Sequence, residues 1–185
     1  MTNELSRRQE TLLAANLTWL QQAVDVLHSI PDDATYARPP RGLEPHRAGG
    51  HLRHILEFYE CFLNGVESGH IDYDARARDE TVERSRAAAA AHAQSIMWRL
   101  RTVPALRGDA VIWVRMEDSA TSGLQDPFLT SSIGRELQAL SSHTIHHFAL
   151  LAMTLRAAGI AVDADFGMAP STLRRRATHR AAEAA

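Results

Sequence analysis

Two short stretches of the sequence concentrate histidines at spacings that could do chemistry. "HLRH" carries His51 and His54, and "SSHTIHH" carries His143, His146 and His147. A neutral imidazole is a good ligand for Zn²⁺, Ni²⁺ or Fe²⁺. Residues four apart stack on one face of a helix, close enough for two imidazoles to share one ion. His143 and His147 have that spacing, without the glutamate that an H-E-x-x-H protease motif would add. Two ligands make an incomplete site, so a third must come from another element. A single histidine at the edge of an apolar stripe is most often a hydrogen-bonded structural residue. It is the coincidence of two such helices that favours a metal.

Whether the rings can meet depends on how their helices turn. Each α-helical residue advances by about 100°, and with Thr144 set at zero, Ile133, Leu137, Leu140, Phe148, Leu151 and Leu155 fall within about 40° of one line. His147 then lies about 60° to one side and His143 about 100° to the same side, whereas His146 lies about 160° away. His143 and His147 are neighbours, and His146 points away from the core. On the other helix, with Ile55 at zero, His51 lies about 40° and His54 about 100° to one side, with Phe58 between them in angle. Both can reach an interior, and periodicity does not choose between them.

The elements that must carry these residues are legible as apolar periodicities. A first helix runs from about Glu4 to Ser29, with Asn16 interrupting a stripe of leucines and Val24. "IPDDATYARPPRGLEPHRAGG" reads as a long loop. A second helix runs from about Ala48 to Ser68, burying Leu52, Ile55, Tyr59, Phe62 and Val66 while Arg53, Glu57, Glu60 and Asn64 face away. After a charged crossover, "GHIDYDARARDE", an alanine-rich third helix extends from Glu80 until Pro104 stops it. "DAVIWVRMED" and "DPFLTSS", joined through a Ser-Gly turn, suggest a β-hairpin. The fourth helix spans roughly Ser132 to Ala158 and ends before Gly159. The expected fold is all-α: a four-helix bundle over residues 1–170, a small β-hairpin inserted between helices three and four, and an Arg/Ala-rich tail over 171–185. In such bundles, sites are built from side chains on facing helices.

Composition narrows the function classes. The 185 residues are 45% apolar and 23% charged, enough for one well-buried core. A formal charge of -2 gives no general electrostatic reason to bind nucleic acid. There is no apolar run long enough for a membrane span and no apolar core of a secretory signal, so a cytoplasmic location is expected. The single cysteine, Cys61, excludes an internal disulfide and a cysteine-cluster metal site, and is expected simply to pack. His28, His46, His70, His92 and His179 lie in isolated, surface-like or loop-like settings and are expected to be structural or solvated. Dimerisation through the outer face of a bundle is compatible with this pattern but not written in it.

"HLRHILEFYECFLNG" and "RELQALSSHTIHHFALLAMTLRAAGI" together resemble the DinB-like, damage-inducible four-helix-bundle metalloproteins, a superfamily that includes thiol-dependent S-transferases using mycothiol or bacillithiol. The resemblance covers about Leu5 to Ile160, with "DFGMAPST" similar to one bacterial branch. It implies one histidine from the second helix, followed by leucine or isoleucine, and an H-x-x-x-H pair from the last. Matched residue by residue, these are His54, followed by Ile55, with His143 and His147, and His51 as the alternative. The metal implied is Zn²⁺ or Ni²⁺, with Fe²⁺ a further fit to three imidazoles.

Three protein ligands leave a coordination position open, as in catalytic centres. A metal there would lower the pKa of a thiol cosubstrate or of water. The resemblance implies transfer of a low-molecular-weight thiol to a small electrophile. Hydrolysis is the neighbouring reading, and a stress-linked metal-binding or sensing protein without turnover is the non-enzymatic one. No general base can be named. Glu136, seven residues before His143, is a candidate hydrogen-bond partner for a ligand imidazole, or equally a first-turn acid favourable to the helix dipole. Arg76, Arg78 and Arg135 are the cations that could meet an anionic thiol, and Trp113 and Phe128 the aromatics that could cap the cavity. Each has an ordinary solvated or packing role as its rival.

Overall fold

The computed structural model describes residues 2–116 and 128–183. Four long helices dominate it: α1 (Thr2–Ser29), α3 (Ala48–Gly65), α5 (Arg86–Thr102) and α6 (Ile133–Ala157). Helices α1 and α3 each pack against both α5 and α6. Their facing stripes make one core, in which Leu20, Leu27, Leu56, Phe62, Ala93, Ile96, Leu137 and Phe148 are all fully buried or nearly so. The small Ala89 and Ala93 on α5 let that helix lie close to its neighbours. Helix α6 begins at Ser132, whose hydroxyl accepts from the Arg135 amide at 3.2 Å. It ends before Gly159, where φ is +78° and a side chain would be strained.

The fold is mainly α, but not all-α. Strands β2 (Val111–Arg115) and β3 (Leu129–Ser132) pair antiparallel as the expected hairpin, with Trp113 opposite Thr130. The expected turn residues 122–123 and the Asp126–Pro127 start of the second strand lie outside the described residues. A third strand, β1 (His70–Asp72), pairs parallel to β2 with Ile71 opposite Val114, giving the order β1-β2-β3. The segment read as a charged crossover therefore contributes a strand. Its signal was the alternation in Ile71 and Tyr73, both buried, between the less buried His70, Asp72 and Asp74. Gly65 permits the return of the chain: a Cβ there would overlap the His70 carbonyl.

The third helix is also broken. Asp79 caps a short α4 (Glu80–Arg84), and Ser85 caps α5 by accepting from the Ala88 amide. Tertiary contacts hold the break: the Tyr36 hydroxyl donates to the Val82 carbonyl at 2.8 Å, and Arg86 reaches Asp33 at 2.9 Å. Tyr36 belongs to α2 (Asp33–Ala37), a turn of helix inside the expected long loop, capped by Asp32. This 75–84 segment crosses α3, so Glu57, expected to face away, is 4% exposed.

The tail is a helix, α7 (Pro170–Glu183), almost wholly exposed. It starts at the residue expected to close the main domain. Leu173 and the preceding Phe166 and Met168 line a cavity of about 410 Å³ with Trp19 and Val26 of α1. Among the described residues, no helix is long and apolar enough to cross a membrane.

Candidate metal centre

The α3–α6 contact brings three of the five clustered histidines together. His54 from α3 meets His143 and His147 from α6, and one ring nitrogen of each lies within 4.8 Å of the others. The Nε2 atoms of His54 and His143 are 3.1 Å apart. Ring centroids are separated by 4.9 Å for His54 and His143, 4.6 Å for His54 and His147, and 4.5 Å for His143 and His147. Two imidazole nitrogens bound to one ion at about 2.0–2.1 Å, subtending about 90–110°, sit about 2.8–3.4 Å apart. The His54–His143 approach falls inside that window, so this pair fits one divalent cation, and the His147 nitrogen lies within 4.8 Å of both.

Electrostatics favour the ligating form. Burial comes first in lowering each pKa: His54 and His143 are held at about 4 and His147 at about 3. Neighbouring rings and the Arg76 guanidinium add to the effect. All three rings are therefore neutral at pH 7, as ligation requires. Among the described residues, the buried His143 Nδ1 has no hydrogen-bond partner.

His146 is exposed, as its angle requires, touching His147 only edge-on at 5.2 Å. His51 does not join the three. It sits behind His147, its Nδ1 3.3 Å from His147 Nδ1, and is 8% exposed. That contact engages Nδ1 of His147 and leaves its Nε2 outside the His51 pairing. His46, expected to be isolated on its loop, stacks on His51 at 5.5 Å and 7°.

Glu136 does not support a ligand imidazole. The Tyr73 hydroxyl donates to its Oε2 at 2.9 Å, and the Ser131 hydroxyl donates to its Oε1 at 2.6 Å. The carboxylate ties α6 to the strands instead. Tyr73 contributes indirectly, because its ring stacks on Phe58 at 5.1 Å and Phe58 stacks on His143 at 4.1 Å. That aromatic wall closes one side of the cluster. Of the three arginines, Arg78 and Arg135 are exposed, while Arg76 is half-buried, its Cζ 5.1 Å from the Phe58 centroid. Trp113 and Phe128 do not cap the site: both lie against His70, at 5.3 and 5.7 Å.

His28, His70 and His179 are exposed, and His92 bonds Glu60 at 2.9 Å, as expected of structural or solvated residues. Cys61 is buried, and burial pushes its thiol up to about 11, which keeps it protonated and unreactive. A cleft of about 300 Å³ lined by Pro45, His46, Gly50, His51, His54 and His147 gives small molecules access to the histidines.

Comparison with known proteins adds little at this site. No family model matches the chain, and no solved structure matches it. A stretch of 104 residues, 56% of this chain, is 33% identical to FK506-binding protein 5 of Rhizopus delemar. The matched stretch is 27% of that protein, so the chain spans about a quarter of the length of this curated relative.

Proposed function

We propose that the chain is a four-helix-bundle metalloprotein of the DinB-like kind, in which His54, His143 and His147 hold one divalent cation, Zn²⁺ or Ni²⁺ before Fe²⁺. The observation that carries this reading is the convergence of three neutral imidazole nitrogens within 4.8 Å from two helices. A cation held there would supply Lewis-acid activation of a thiol or water in the position that three protein ligands leave open. His51 orients His147, Phe58 and Tyr73 pack behind His143, and the cleft beside His46 and His51 admits a small electrophile. Thiol S-transfer is the reaction we favour, with hydrolysis second. The access cleft favours turnover over the non-catalytic sensing reading, because a purely structural centre is closed.

The test is metal content after purification without a histidine tag. His54→Ala, His143→Ala and His147→Ala should each abolish stoichiometric metal, and His146→Ala should leave it unchanged. Intact metal in the first three, or its loss in the fourth, refutes the ligand set. A turnover assay with metal-loaded protein, small thiols and a panel of electrophiles then separates transferase from sensor.

A further inference from the structure

Arg76 lies on the segment between β1 and α4, half-buried. Its guanidinium sits 5.1 Å from the centroid of Phe58, one ring away from His143. Its charge reaches the cluster, since after burial it is the next influence lowering His54 and contributes at His143 as well. The other partly sheltered arginines around it are paired. Arg53 holds Glu57 at 3.1 Å and Glu83 at 2.8 Å. Arg99 holds Glu60 at 2.7 Å, and Arg115 reaches Asp72 at 3.7 Å and Asp74 at 3.6 Å. Among the described residues, Arg76 has no carboxylate partner. A sheltered cation without a counterion is costly, and a cation–π contact offsets only part of that cost.

We propose that Arg76 is the anion receptor of the site, binding the carboxylate of a small monoanionic ligand whose other end fills the position left open by His54, His143 and His147. The second half of this statement rests on the metal reading above, and the first on the geometry of Arg76. A planar guanidinium grips a carboxylate through two parallel hydrogen bonds. One guanidinium, with Glu57, Asp72 and Asp74 already occupying the neighbouring cations, suits a single negative charge better than a dianion.

The experiment uses the full chain loaded with Co²⁺ and two probes, 3-mercaptopropionate and the uncharged 2-mercaptoethanol. Affinity is read from the sulfur-to-cobalt charge-transfer absorption. Docking at Arg76 is read independently from its ¹⁵Nε resonance, with and without metal. The wild-type protein should bind the carboxylated probe about tenfold more tightly, the scale of one charge-assisted hydrogen-bonded pair. Arg76→Ala should erase that ratio, weakening 3-mercaptopropionate far more than 2-mercaptoethanol, and Arg76→Lys should keep part of it. An equal affinity for both probes in the wild type, or an unchanged ratio in Arg76→Ala, overturns the proposal. Absence of any charge-transfer band refutes the metal reading alone. In that case a shift of the Arg76 resonance on adding 3-mercaptopropionate still upholds the anion receptor, and a silent resonance overturns it.

Discussion

Two polar clusters meet on helices α3 and α6, the first completed by Asn16 of α1, and they obey opposite rules. In the first, Asn16 donates to the Leu12 and Leu137 carbonyls at 2.8 and 3.0 Å, the Tyr59 hydroxyl donates to Asn16 Oδ1 at 2.7 Å, and Thr144 donates to Leu140 and approaches Tyr59. All three side chains are completely buried. In the second, His54, His143 and His147 crowd their nitrogens toward one point, and buried atoms of His143 and His51 have no partner. Thr144 and His143 are adjacent in sequence, yet one belongs to each. A satisfied buried network specifies packing, whereas an unsatisfied one costs stability and persists where a function needs it. The contrast separates structure from site more sharply than residue type does.

The largest expected effect is on metal affinity. His143→Leu should weaken Zn²⁺ binding by about a hundredfold or more, since about 10–16 kcal/mol for a four-ligand zinc site is roughly 2.5–4 kcal/mol per ligand. Competition with a chromophoric chelator measures this, and a loss under tenfold would place His143 outside the ligand set. Next come stability changes of opposite sign. Asn16→Leu leaves the buried Tyr59 hydroxyl without its acceptor and should cost about 1–3 kcal/mol. His143→Leu in metal-free protein removes a buried orphan nitrogen and should gain about 1 kcal/mol. Urea denaturation of both variants decides, and the same sign for both would dissolve the comparison.

A smaller effect is expected one ring further out. His51→Ala should lower metal affinity by about tenfold, His51→Gln should recover part of it, and the metal-free melting temperature should not fall in either. A parallel loss of stability would instead mark His51 as a packing residue. The smallest effect is the most diagnostic. Three imidazoles with the usual pKa of about 6.5 would lose roughly 70-fold in metal affinity between pH 8 and pH 6 through proton competition. Held at about 4, 4 and 3, these three stay neutral, so affinity should be flat over that interval and fall only near pH 4. The same lowering has a stability sign. The unfolded chain takes up these protons first, so the metal-free protein should lose stability as pH falls from about 6.5 toward 4. A titration of the urea midpoint that is flat across that window contradicts the buried, neutral cluster.

Much of this arrangement is legible in the sequence. Helical angles alone turn His146 outward and leave His143 and His147 as a pair, because the angle between residues on one helix is set by local backbone geometry. The glycine stop at Gly159 and the hairpin strands are local signals of the same kind. Glu136 illustrates the limit: its angle allows it to face His143, but Tyr73, distant in sequence, takes its carboxylate.

What the sequence determined by itself, then, is the set of helices and which of their side chains share a face, since both follow from periods of a few residues. Only the tertiary structure decided that His54, His143 and His147 come within 4.8 Å of one another, that residues 70–72 become a parallel strand, that the third helix breaks at Ser85, and that Arg76, with no carboxylate partner among the described residues, lies beside the cluster. Each of these depends on how one element is rotated and shifted against another. That choice is made by the whole packed core and by non-local hydrogen bonds, and no local period encodes it.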